Sequence, residues 1–161
     1  MSGRTMAEQR GRSWRSAADL NVAEQFVLWA LRTRLEGAAK LERLEEGFRL
    51  ARDGATGGAA RAAFEPWFEV LASHCWRDLY LHRTPCPYLS SDERAMVELV
   101  ASAQVGDEAR LHRTAATLVH PRAIGLLLSA SRTFAGALCL LGLHLSGRRA
   151  QPASGRAARL H

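Results

Sequence analysis

Apolar residues recur every three to four positions along most of this chain, and the breaks between runs fall at glycine, proline or capping residues. That is the pattern of short amphipathic helices. The first run starts at Asp19, where Asn21 followed three residues later by Glu24 makes a capping box, and Val22, Phe26, Leu31 and Leu35 fall roughly on one face before Gly37. A second run places Leu41, Leu44, Phe48 and Ala51 on one side and charged residues around the rest. Residues 54–58, GATGG, read as a linker, and they lack the closing Gly-Lys-Ser/Thr of a phosphate-binding loop. Beyond them Phe64, Phe68, Leu71, Cys75 and Leu79 predict a third helix reaching to about residue 82, with Pro66 in its first turn or at a kink.

Pro85-Cys86-Pro87 forbids regular hydrogen bonding and predicts an irregular loop. Ser90 with Glu93 is a second capping box, opening a helix with Met96, Val97, Val100 and Val105 inward and Gly106 at its end. Asp107 caps a shorter helix carrying Leu111, Ala115 and Leu118, and Pro121 then resets the chain. From Ala123 to Leu145 the only formal charge is Arg132. The length suffices for a membrane span, but a central arginine costs roughly 2.5 to 3.5 kcal/mol on insertion scales. Five amphipathic helices need something to pack against, so the segment reads as a buried central helix, with Gly125, Ser129 and Gly136 as points of close approach. The expectation is an all-α fold, a single bundle of about six helices over residues 19–145. The apolar C-terminal helix lies at its centre, with basic arms at 1–18 and 146–161.

The order of elements, with HRTPCPYLSSDE (82–93) leading into two shorter helices and an apolar last one, resembles a family of small uncharacterised helical proteins from alphaproteobacteria. The likeness spans about residues 22–145 and rests most on Cys86, Pro87, Ser90, Asp92 and Glu93. Members of that family often carry more than one cysteine in the loop, where Tyr88 stands here. The resemblance implies the fold and names no activity.

Composition sharpens the partner question. Hydrophobic residues make up 47% of the 161 residues and aromatics 7%, so the core rests on Leu, Ala and Val, which suits helices. The formal charge of +6 suggests polyanion binding until it is placed along the chain. Residues 19–145 hold 14 basic and 15 acidic side chains, a net charge of −1. The excess lies in the arms, with Arg10, Arg12 and Arg15 at one end and Arg148 and Arg149 at the other as candidate anion-binding residues. Lys40 is the only lysine, so part of the arginine excess is what a GC-rich genome writes. Trp14 among those arginines suits an anionic surface or an anchor equally. Three cysteines without framework spacing, and no apolar leader, predict a cytoplasmic protein.

His74, Asp78 and His82 are spaced by four, and Cys86 follows by four, so on a helix they would form one stripe and a candidate metal site. Residues eight apart lie about 12 Å apart along a helix axis, too far to share an ion without Asp78 between them. No recognised zinc spacing is present, and an exposed polar stripe accounts for the pattern equally. Cys86 with His82 is a candidate thiol site, although the prolines fit a structural loop cysteine. Asp92/Glu93 and Asp107/Glu108 sit where helix dipoles favour acids, and the latter pair would repel DNA from a helix-turn-helix over 90–119. No motif reaches the specificity of an enzyme and no cofactor is implied. The functional expectation is a non-enzymatic interaction or regulatory module with a protein partner or self-association, and the membrane span is disfavoured. The alternatives are nucleic-acid, ribosome or anionic-surface binding through the arms, and a metal or thiol site near His82 and Cys86.

Overall fold

The computed structural model describes residues 16–146 as an all-α bundle of six α-helices. These are α1 (Val22–Leu35), α2 (Leu41–Leu50), α3 (Gly54–His74), α4 (Ser91–Val105), α5 (Glu108–Leu118) and α6 (Ile124–Leu140), with 3-10 turns at Ala17–Asp19, Ala38–Lys40 and Pro121–Ala123. The local signals act as their chemistry dictates. Asn21 and Glu24 form a reciprocal capping box at α1, as do Ser90 and Glu93 at α4. Asp107 caps α5, and Gly106 ends α4 at a φ of 72°, a conformation costly for any residue with a Cβ.

Two expectations fail at α3. The GATGG stretch is no linker: it forms the first turns of α3, capped by the Asp53 side chain, which accepts from the Thr56 N–H. Gly57 lies against the backbone of α2, where an added Cβ would sit 2.1 Å from the Phe48 carbonyl oxygen, so glycine here permits a close helix crossing. At its other end α3 stops at His74, well short of residue 82, and the chain runs on in non-helical form to Ser90. Pro66 lies exposed in mid-helix.

A row of rings knits the helices together: Phe26 of α1 meets Phe48 of α2 edge-on at 5.0 Å, Phe48 meets Phe64 of α3 at 5.6 Å, and Phe64 and Trp67 meet Phe134 of α6 at 5.5 and 5.1 Å. Trp67 is wholly buried, and its indole N–H donates to the Ser131 hydroxyl at 3.1 Å, which explains the one polar residue on the buried side of α6. The helix α6 packs on α3, α4 and α5 and buries Leu127, Phe134, Ala135 and Leu138. Its opposite face stays open. A Cβ added at Gly125 or Gly136 would meet nothing within 4 Å, so these glycines are not internal contact points.

The two ends of the described chain meet. The Asn21 side chain donates to the His144 carbonyl at 3.1 Å, and the Ser146 hydroxyl donates to Glu24 at 2.5 Å. Gln104 of α4 holds the last segment through the Leu143 carbonyl and the Leu145 N–H, at 2.9 and 2.8 Å.

Candidate functional site

The capping box at the start of α4 does more than begin a helix. Glu93 is fully buried and pairs with buried Arg32 of α1, Nε to Oε1 at 2.7 Å and Nη2 to Oε2 at 3.0 Å. The same carboxylate accepts from the His82 and Ser90 N–H groups, both at 2.9 Å. Arg32 also donates to the Cys86 and Tyr88 carbonyls, each at 2.7 Å. One ion pair thus satisfies four main-chain groups of a loop that has no secondary structure to satisfy them. The preceding stretch is fixed by Asp92, which accepts from Arg77 at 2.6 and 3.0 Å and from the Tyr80 N–H at 2.8 Å. Arg77 holds the Asp92 carboxyl below the usual carboxylate range, outweighing its burial, with help from the Tyr80 N–H. Ala17 donates to the Pro87 carbonyl at 2.7 Å, and Thr84 to Glu36, so the loop is gripped from the N-terminal side as well.

The metal-site geometry drawn from the sequence does not survive. His74 is exposed at the end of α3, Asp78 and His82 belong to the extended stretch, and Cys86 lies half-buried in the loop, so the four share no helical stripe. The chain leaves helix at Cys75, which bridges Val119 in extended form while the His120 N–H donates to the His74 carbonyl at 2.9 Å, and Asp92 and Glu93 then hold the Tyr80 and His82 N–H groups in the extended stretch against the periodicity that Leu79 continues. Among the described residues, no three His, Cys, Asp or Glu side chains gather to hold an ion. The role of residues 82–90 that the sequence does not reveal is carried by Arg32, which is buried beside Leu28 and Leu31 on α1 and gives no sign from spacing of its partner 61 positions away.

Between the extended stretch and the bundle lies a pocket of about 400 Å³. Leu31 and Leu35 of α1, Phe68 and Leu71 of α3 and Met96 of α4 make its apolar walls. Cys75, Asp78 and Leu79 close it from the extended side, with Ala72 at the margin. Asp78 is exposed, and its carboxylate accepts no hydrogen bond and joins no ion pair among the described residues. Arg77 is turned instead to the Asp78 main-chain oxygen and to Asp92.

A second surface lies on α6. Leu126, Ser129, Thr133, Gly136 and Leu140 are all exposed and fall at alternating steps of three and four, the spacing of a helix-packing seam. Leu126 is 56% exposed and Leu140 66%. Beside the seam Arg132 pairs with Glu108 of α5. By length and composition the stretch Pro121–Leu140 can cross a membrane, and a third of it is buried in the bundle. The candidate anion-binding residues Arg10, Arg12, Arg15, Arg148 and Arg149 lie outside the described residues, as does Trp14. Among known proteins, no family model, curated sequence or solved structure matches this chain.

Proposed function

We propose that the protein is a non-enzymatic interaction module that pairs with a second copy of itself through the outer face of α6. The observation that carries this reading is the exposed seam from Leu126 to Leu140, two exposed leucines with Ser129, Thr133 and Gly136 between them on a helix whose other face is core, the Thr133 hydroxyl being spent on the Ser129 carbonyl. The seam is self-complementary. Leu126 and Leu140 stand symmetrically about Thr133, so an antiparallel pair around a twofold axis at Thr133 sets each Leu126 against the partner's Leu140, as an isologous interface requires. Ser129 and Gly136 between them are small enough for two backbones to approach closely. The ion pair of Arg132 with Glu108 flanks the seam without crossing it. Sedimentation of the full chain over a dilution series tests the reading. A dimer is expected, and Leu126→Glu with Leu140→Glu should give a monomer of unchanged helical content. A wild-type monomer at every concentration, a double variant that still dimerises, or recovery of the protein only from membranes would each overturn it.

A further inference from the structure

The pocket beneath residues 75–82 joins apolar walls to one unpaired carboxylate, and it lies apart from the α6 seam. Its volume, about 400 Å³, falls within the roughly 300 to 1,000 Å³ typical of small-molecule sites. It is also framed rather than merely underpacked. Arg77 and the Tyr80 N–H tie the extended stretch to Asp92, and the His82 N–H ties it to Glu93, so the stretch cannot settle inward to fill the space without breaking bonds to buried carboxylates. Each methylene buried on these walls strengthens binding by about fourfold. The choice among apolar ligands then falls to Asp78. With no cation of the described residues neutralising it, this carboxylate attracts a positive group and repels a negative one at the margin of the pocket.

We propose that this pocket binds a small amphipathic amine, with the apolar body against Leu31, Phe68, Leu71 and Met96 and the ammonium group on Asp78. The full chain's charge of +6, which lies in its arms, draws anionic amphiphiles non-specifically, so a preference for the amine would have to come from the pocket. Calorimetric titration of the full chain with octylammonium and octanoate below their micellar concentrations, and with octanol below its solubility limit, tests it. Octylammonium should bind about fivefold more tightly than octanol, the upper range for an exposed charge pair, and octanoate more weakly than either. Asp78→Asn should erase the difference between octylammonium and octanol while leaving octanol unchanged. Ala72→Phe, placed at the exposed margin where folding is not at risk, should weaken all three. In a Cys86→Ser/Cys139→Ser background, octylammonium should slow alkylation of Cys75, which locates the ligand in this pocket. Equal binding of octanoate and octylammonium, a preference that persists in Asp78→Asn, or no saturable binding of any probe would overturn the proposal. None of these results depends on whether α6 pairs.

Discussion

Removing Arg32 tests whether the buried ion pair is an isolated contact or the clamp of the 82–90 loop. Arg32→Ala leaves the Glu93 carboxylate buried without a charge partner, a loss that costs about 3 to 5 kcal/mol in comparable pairs. Against a whole-domain stability of about 5 to 15 kcal/mol this is severe. The more telling variant is Arg32→Met with Glu93→Leu, which removes both charges and keeps most of the volume. An ordinary buried ion pair tolerates that exchange with little loss. Here the double variant also strips partners from the His82 and Ser90 N–H groups and the Cys86 and Tyr88 carbonyls. At about 1 kcal/mol each, the low end for an unsatisfied group because water can reach parts of this loop, roughly 2 to 4 kcal/mol should remain lost. Urea unfolding followed by circular dichroism gives both numbers, and the alkylation rate of Cys86 should rise in the double variant as the loop loosens. A double variant within about 0.5 kcal/mol of wild type would refute the clamp and show that the loop is held by its other contacts.

Neighbouring glycines should respond with opposite signs. Gly57→Ala drives a Cβ to 2.1 Å from the Phe48 carbonyl oxygen and should lose about 1 to 3 kcal/mol, whereas Gly58→Ala meets nothing within 4 Å and should gain up to about 1 kcal/mol of helix propensity. Thermal melting that shows the same response at both positions would contradict the close crossing. Asp92 has its pKa lowered in the fold, so the stability it contributes is present above the usual aspartate pKa and is lost as pH falls through its lower folded value. Unfolding free energies of wild type and Asp92→Asn should therefore converge below about pH 4, and a gap independent of pH would count against this. Affinity for heparin or duplex DNA should disappear on trimming to residues 16–146, whose net charge is −1; salt-sensitive binding by the trimmed chain would reveal a basic face on the bundle.

The helix starts were legible because capping is a local affair: Asn21, Ser90 and Asp107 each bond a main-chain group three residues away. So was most of the core, since Leu44, Phe48, Phe64, Phe68, Met96, Val100 and Leu111 follow helical spacing and are buried. Legibility ended where distant groups decide. Leu79 continues the period of α3, yet the chain leaves helix at His74, where Cys75 pairs with Val119 and the His74 carbonyl accepts from His120, and carboxylates on α4 then hold the backbone of Tyr80 and His82. The GATGG stretch has poor helix propensity and folds as helix because Asp53 caps it and Gly57 fits against α2. Val22 and Leu35 fit the apolar pattern of α1 and are 77% and 51% exposed, while the buried set turns through Ala23, Val27, Ala30 and Leu31. The charge of Arg32, the least expected residue on that inner side, became intelligible only with its partner in view. For the pocket, sequence could supply Asp78 as a candidate but only as a metal ligand, since nothing in the spacing shows that five residues from three helices meet beneath it.

The bonds between Asn21 and His144 and between Ser146 and Glu24 close the described chain into a ring with a single cut. Such a ring has no privileged starting point. A tether from residue 146 to residue 16, long enough to pass the Asn21 and Glu24 contacts, would add a covalent link beside them, and new ends could be opened at the exposed pair Arg52 and Asp53. In that permuted order α3 would come first and α2 last, although every helix kept its neighbours. The order in which these helices leave the ribosome is thus separable from the arrangement they reach.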